Sequence, residues 1–542
     1  MSALAVAMHD GAVHRLIPFT LVLPMRNSLF LLLAAGTLAA CGQHTSTSGT
    51  ASDGGGDAPD NTSMDSGDAS LGTPTGNFLW EIHTSMGLGT SISQYVGVAA
   101  GNANAIAGSF GAGASGTIGG VPWTGEGLVG YAMNTSEAGI FANSLAFAEG
   151  QSGAPDIAFS RMAQDGNGDL YLCGSFNQAS VSFNTVANGM VTLTNPQPAF
   201  PADMLIKVQG TTGQVLWANT LAVSAGQAMF GSSRSVCRAV AAEGTTVVAA
   251  YSFGGSLVYS LAGVPTEVDA GGAGDFDGLL TSIDPATGQT LWAKHLGGSS
   301  VDAIYSTSID GSGNVYMGAY TQSPSPTIDG VATTVTNTVP SSGVSIIFEF
   351  DATTHAVSFA QGFHPTGTGL VIINALAAAP DGDIAACGYF GGPVDFGTGT
   401  PTPSNAQDDG YVVRLSKTTG TEWVDAFAGP LTDRCDSLAI DPTDQIVIGI
   451  GYGSTGLMID THALPAPVGG MAGAVVKLSS AGKYLWSDDL VGTGAEVWSV
   501  AIFPPNSVLY AGAFTGGINL GDGTVNGGDS MSASYFAVLR SY

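Results

Sequence analysis

The sequence predicts an all-β fold built from repeats, and three observations carry that expectation. Gly is abundant at 79 of 542 residues, charged residues are only 10% of the chain, and short Val/Ile/Thr/Tyr runs alternate with Gly, Asn and Asp clusters. A unit seen most plainly at 283–320, IDPATGQTLWAKHLGGSSVDAIYSTSIDGSGNVYMGAY, recurs imperfectly over almost everything beyond residue 76. The two ends of the repeated region are complementary fragments of one unit.

Alignment on the strand around Trp292 gives anchors at Trp80, Phe141, Trp217, Trp292, Phe359, Trp423 and Trp486. Before most anchors lies a second apolar run, such as DMLIKV (203–208), SIIFEF (345–350) or GYVVRL (410–415). The turns between the two include TTGQ (211–214), ATGQ (286–289) and TTGT (418–421), with Gly placed for positive φ. After the anchors come two more strands around a tight turn, as in RMAQDGNGDLYLCGSF (161–176), STSIDGSGNVYMGAY (306–320) and ALAAAPDGDIAACGYF (375–390).

Each unit thus supplies four short strands, a to d. Such a sheet cannot bury both faces alone and needs neighbours on both sides, which is the blade of a β-propeller. Thr75–Trp80 matches Thr287–Trp292, so the repeated region opens on a lone fourth strand, while YFAVLRSY (535–542) is a third strand lacking its fourth. Pairing the strand of Trp80 with that of Phe536 completes a blade and leaves no free sheet edge. The expectation is a closed seven-bladed propeller of four-stranded blades over 77–542.

Residues 1–40 read as a signal segment. Arg26 precedes the apolar run SLFLLLAAGTLAAC, too short for a permanent transmembrane helix, and Met25 is a candidate true start. Leu38-Ala39-Ala40-Cys41 resembles the bacterial lipobox, which implies acylation of Cys41 as the mature N-terminus. Residues 41–76 then form a disordered tether, because GQHTSTSGTASDGGGDAPDNTSMDSGDASLGTPTG has almost no apolar side chains to bury. Gly42 and Gln43 after the Cys lack the Asp of inner-membrane retention, so the expected address is the bacterial envelope, on the outer membrane. A net charge of −29 repels phosphate backbones and anionic lipid, which excludes a nucleic-acid partner and leaves the lipid as the membrane contact.

Within a blade, the a–b and c–d turns share one face, and the b–c and d–a connections the other. The a–b turns (Asp165–Asp169, Asp310–Asn314) are short, whereas 177–202, 254–274 and 321–344 are long and irregular b–c connections. Function is expected on that long-loop face or at the channel mouth. Four cysteines beyond Cys41 allow three pairings. Cys173 and Cys387 share one register in strand b, and Cys237 and Cys435 another at the beginning of strand a. The repeat register favours Cys173–Cys237 and Cys387–Cys435, each tying neighbouring blades in an exported protein.

Chemistry is sparse. Asp165, Asn167 and Asp169 alternate like oxygen ligands of a Ca²⁺ loop, but no Glu stands at the twelfth position and equivalent units carry hairpin turns, so no metal is expected. His83, His295, His355, His364 and His462 have no HExxH spacing, and the domain holds neither a G-x-S-x-G elbow nor a Gly-Lys-Ser/Thr loop. Arg161, Arg234, Arg238 and Arg434 all fall on or just before strand a. Converging at the channel, they would hold a carboxylate or phosphate bidentately.

The units resemble the seven-bladed propeller repeats (SBBP type) of bacterial surface and secreted proteins, DxFVxKLDxxGxxLWxxxxGG…AxDxxGNxYxxGxF, most clearly at 277–320 and 409–450. DPATGQTLW (284–292) is also similar to the repeat of pyrroloquinoline-quinone dehydrogenases. Those have eight blades and an adjacent Cys-Cys pair, absent here, so no cofactor is carried over. The expected function is a lipid-anchored, non-enzymatic binding or scaffold module for envelope protein or glycan. Alternatives are a propeller enzyme (hydrolase, lyase or quinone-dependent dehydrogenase) acting at the channel mouth, and an outer-membrane assembly factor, which the combination of lipoprotein and propeller resembles.

Overall fold

The computed structural model describes strands from Asn77 to Ser541 and, apart from short gaps, side chains over 157–520. Two units divide the chain; Met1–Ala35 lies outside the described residues, and so do Cys41 and the tether that opens the second unit, Gly36–Tyr542. The fold is all-β, and no described residue is helical. No helix there is long and apolar enough to cross a membrane.

The strands form successive antiparallel meanders of four, numbered here as sheets in chain order. Sheet 1 comprises Val96–Ala100, Asn104–Phe110, Val129–Thr135 and Phe141–Ala146. Sheet 2 comprises Ile157–Gln164, Leu170–Phe176, Ala202–Val208 and Val215–Ala225. Sheet 3 is Ser235–Glu243, Thr246–Phe253, Asp277–Ile283 and Thr290–Gly297. In sheet 4 the strands are Asp302–Ile309, Val315–Thr321, Val344–Phe350 and Val357–Pro365. Sheet 5 holds Leu370–Ala378, Ile384–Gly391, Asp409–Ser416 and Gly420–Phe427. Sheet 6 holds Asp433–Ile440, Ile446–Tyr452, Ala472–Leu478 and Tyr484–Leu490. Sheet 7 takes Gly492–Phe503, Ser507–Asn519 and Ser534–Ser541 from the end of the chain and its fourth strand, Asn77–Thr84, from the beginning.

That last pairing is the one expected, between the strand of Trp80 and the strand of Phe536. Trp80 lies opposite Leu539, and Phe536 lies opposite His83. A bulge between Phe78 and Trp80 shifts the ladder.

Middle strands are buried from end to end, as at Val315–Thr321 and Val344–Phe350. Alternate side chains leave opposite faces of a strand, so each middle strand feeds two cores. Val247, Ala249 and Tyr251 pack with Tyr171, Leu205 and Trp217 of sheet 2. Val248 and Ala250, on the same strand, pack with Ile304, Met317 and Phe348 of sheet 4. Sheets 4 and 5, 5 and 6, and 6 and 7 enclose equivalent apolar layers. First strands of consecutive sheets lie side by side, and the first strand of sheet 1 lies against those of both sheet 2 and sheet 7.

The repeat signature has a latch at its outer end. Trp217, on the fourth strand of sheet 2, donates its indole N–H to Pro285 O in the turn of sheet 3, 3.1 Å away. Gly288 in that turn has φ of 76°, and a Cβ there would run into the Trp217 ring. Trp423 repeats the contact with Ser480 O at 2.8 Å, and Trp292 stacks on His355 at 4.8 Å.

The b–c connections are a correction. They were expected to be irregular and available for binding. Instead, 256–269 is a hairpin whose first strand pairs with Ala222–Ala225 of sheet 2, and 327–332 is another that pairs with Leu296 and Gly297 of sheet 3. Val394–Asp395 pairs with His364 and Pro365 of sheet 4. The physical reason is the exposed edge of each fourth strand, whose unpaired amides and carbonyls these segments satisfy.

Candidate functional site

The inner strands carry a feature that packing of a plain ladder does not require. In six consecutive sheets the first strand bulges at one register, admitting one extra residue: Ser160, Arg238, Tyr305, Asn374, Asp436 and Trp498. In five of the six a glycine on the second strand lies opposite the bulge; sheet 3 has Ala250 and Tyr251 there. A Cβ on Gly174 would collide with Ala158 O, and one on Gly388 with Ile372 O. All six bulge side chains are half-buried.

Neighbours along this row touch. Ser160 Oγ donates to Cys237 O in sheet 3 at 3.0 Å. The Arg238 guanidinium lies 5.0 Å from the Tyr305 ring centroid, and Tyr305 meets Tyr320 edge-on at 6.3 Å. Asn374 Nδ2 donates to Cys435 O at 2.9 Å and to Asp436 Oδ1 at 3.3 Å. Trp498 Nε1 donates to Glu496 Oε2 at 2.7 Å. The row therefore offers a hydroxyl, a guanidinium, a phenol, an amide, a carboxylate and an indole at equivalent positions of a repeated scaffold.

Of the arginines singled out from sequence, the three described lie on different sheets. Arg161 sits beside the bulge of sheet 2 and donates to Ser160 O at 2.6 Å. Arg238 occupies the bulge of sheet 3, while Arg434 stands two residues before that of sheet 6, and Arg234 lies outside the described residues. Arg434 is bound to the Asp408 carboxylate and stacks on Tyr389 with its guanidinium 4.5 Å from the ring centroid. The abundant Asp around a strand start is what draws it off.

The four cysteines meet as the repeat register favours. Cys173 and Cys237 have Cα atoms 6.0 Å apart, and Cys387 and Cys435 5.7 Å apart, each pair spanning neighbouring sheets at disulfide distance. Both pairs lie next to the bulge row.

The Asp165-Asn167-Asp169 turn spends its oxygens on the protein. Asp165 Oδ1 accepts the Asn167 and Asp169 amides at 2.9 and 3.0 Å. The Lys207 ammonium stands 3.3 Å from Asp165 and 3.1 Å from Asp169. The alternating acids here form a turn anchored by Lys207 from a neighbouring strand. Among the described residues, no group of three or more His, Cys, Asp or Glu side chains is arranged to hold a metal.

Sequence reading also missed a set of buried acids at the strand ends. Asp277 is held by His295 Nε2 at 2.6 Å, and Asp302 accepts Ser323 Oγ at 2.7 Å. Burial, with Asp277 and Asp275 nearby, raises Asp302 to about 7, and burial raises Asp275 to about 6. Asp489 is raised to about 6 by burial as well.

Neither a family model nor a curated protein matches the chain. Solved structures do resemble it: BamB from Moraxella catarrhalis at 10% identity, over 86% of this chain and 100% of that one, with a TM-score of 0.36. The Dos1 propeller aligns at 10% identity over 86% and 95%, with a TM-score of 0.38. The quinohemoprotein alcohol dehydrogenase from Comamonas testosteroni aligns at 11% identity over 81% and 67%, with a TM-score of 0.33. At scores this low the likeness carries no argument about chemistry or partners.

Proposed function

We propose that this chain is an exported, lipid-anchored β-propeller of the bacterial envelope that binds rather than transforms its ligand. In this reading residues 1–40 are removed, Cys41 carries the lipid, 41–76 is the tether, and sheets 1–7 are blades closed into a ring over 77–542. Contact between the first strands of consecutive sheets, including those of sheets 7 and 1, supports the closure. The disulfides Cys173–Cys237 and Cys387–Cys435 belong to the same reading, as bonds between neighbouring blades.

One observation carries the binding role. Positions that build the scaffold repeat, as the latch tryptophans do and as the second-strand glycines do in five of these six sheets, sheet 3 having Ala250 and Tyr251 there. The bulge position does not repeat: it changes chemistry in each of six sheets. A position held on rigid strands and chemically different at each step suits recognition of an asymmetric ligand. Partners expected on this basis are envelope protein or glycan.

Thermal-shift and calorimetric screening of the purified chain against envelope peptides and glycans tests the proposal. Tyr305→Ala and Asn374→Ala should weaken the hit at least tenfold while leaving the melting temperature of the free protein within a few degrees. Val264→Ala, at an exposed hairpin tip, should leave binding intact. Equal binding by all three variants would contradict a site on the bulge row.

A further inference from the structure

The hairpin between the second and third strands of sheet 2 presents an unguarded edge. It runs Ser180–Thr185 and Gly189–Thr194, and packs on the core through Val181, Phe183 and Leu193. The Asn195 amide donates to Ala179 O at 2.9 Å, which fixes the bonding pattern of the ladder. Val181 and Leu193, like Phe183 and Val191, are then hydrogen-bonded pairs, while Met190, Thr192 and Thr194 turn their N–H and C=O groups away from the partner strand. The Ser182 and Thr192 hydroxyls meet at 2.8 Å, as side chains do in the pairs that exchange no backbone bonds. All three outward residues are exposed, Met190 by 69%. Among the described residues, no strand pairs with this outer side of Gly189–Thr194.

Other hairpins blunt the same edge. In 256–269 the Ala270 amide donates to Gly255 O, so the outward positions of the outer strand are Pro265, Glu267 and Asp269. A proline without an N–H and two carboxylates discourage an added strand. The outer strands Val331–Ala332 and His462–Ala463 are only 2 residues long. Gly189–Thr194, GMVTLT, carries neither proline nor charge.

We infer that this edge docks an extended, basic segment of a partner polypeptide, which adds to the hairpin as a further strand. The site is independent of the bulge row. Main-chain bonds to Met190, Thr192 and Thr194 hold the segment, and half-buried Val191 gives its inward side chains an apolar neighbour. Charge selects the occupant: a net −29 draws Lys and Arg on the outer face of the segment, and opposes a second copy of this chain with the same charge.

The test uses the full chain and a fluorescent alternating Lys-Val peptide with two twins, one with N-methylated backbone amides and one with Glu in place of Lys. Anisotropy should show the Lys-Val peptide binding roughly tenfold tighter than either twin, and more weakly as salt rises. Amide hydrogen exchange should slow at Met190, Thr192 and Thr194 in the complex. Thr192→Pro removes an outward N–H without touching the bonds to Ser180–Thr185, and should weaken binding roughly tenfold, whereas Thr192→Val should bind as the parent does. Pro265→Val combined with Glu267→Thr and Asp269→Thr should create a second binding site on the neighbouring hairpin. Equal binding of the N-methylated twin, parent-like binding by Thr192→Pro, or no binding of the Lys-Val peptide overturns the inference. Protection of the same three amides by raised protein concentration, without peptide, would make the occupant a second copy and overturn it as well.

Discussion

Asp302 has no exposed surface, and only one of its oxygens is engaged, by Ser323 Oγ. Its folded pKa of about 7 lies above the ordinary carboxyl value, so the folded state holds a proton that the unfolded chain releases near pH 4. Stability from this group is complete below pH 4 and is lost as pH rises through 7. Asp302→Asn should therefore match the parent near pH 4 and exceed it at pH 8, by on the order of 4 kcal/mol. Urea melts at the two pH values check this; an advantage at low pH instead would reverse the assignment. Arg414 is the opposite case. It is 2% exposed and ringed by Asp381, Asp383, Glu422 and Asp444 at 2.5–3.3 Å. Removing it leaves four clustered, partly exposed carboxylates without their shared cation, so Arg414→Met should cost about 1–3 kcal/mol at pH 7 and less at pH 4.

Single elements explain why the repeat reads as it does. The Trp and Gly of TGQxLW were legible as a strand and a turn, but their partnership was not, because the Trp of one sheet closes on the Gly turn of the next. Trp217→Ala should cost about 3–5 kcal/mol by emptying that contact. Trp217→Phe should cost about 1 kcal/mol for the lost bond to Pro285 O, read from guanidinium melts. The b–c segments misled for a related reason. Irregular composition described them well, yet the exposed edge of a neighbouring fourth strand organised them into hairpins. Replacing 256–269 with a two-residue turn should therefore lower stability, not merely remove a loop, because it takes Leu257 and Tyr259 out of the shared core and bares Leu221.

Across the whole molecule, the four-strand periodicity, the turn chemistry at Gly213, Gly288 and Gly420, and the use of the first strand to finish the last sheet were all legible in sequence. The cysteine register was legible too, since Cys173 and Cys387 share one place in the unit and Cys237 and Cys435 another. The bulge row was not. Its only trace is a glycine in LCGSF, MGAY, ACGYF and AGAF, which marks the room a neighbouring strand needs and says nothing of the residue that uses it. Arginine positions alone suggested an anion site; the partners that divide them, Asp408 and Tyr305, come from other sheets. Reduction of both cysteine pairs should destabilise the fold by about 2–4 kcal/mol each, with non-reducing peptide maps showing the 173–237 and 387–435 links.

Closure of the ring by strands from opposite ends of the chain is the claim on which the binding row depends, and it is open to a direct measurement. Glu81 and Val538 face each other across the two strands. Cysteines placed at both positions, treated with a short bis-maleimide, should give an intramolecular cross-link in the monomer at every protein concentration. Cross-links that form only between chains, or only at high concentration, would contradict the closed ring.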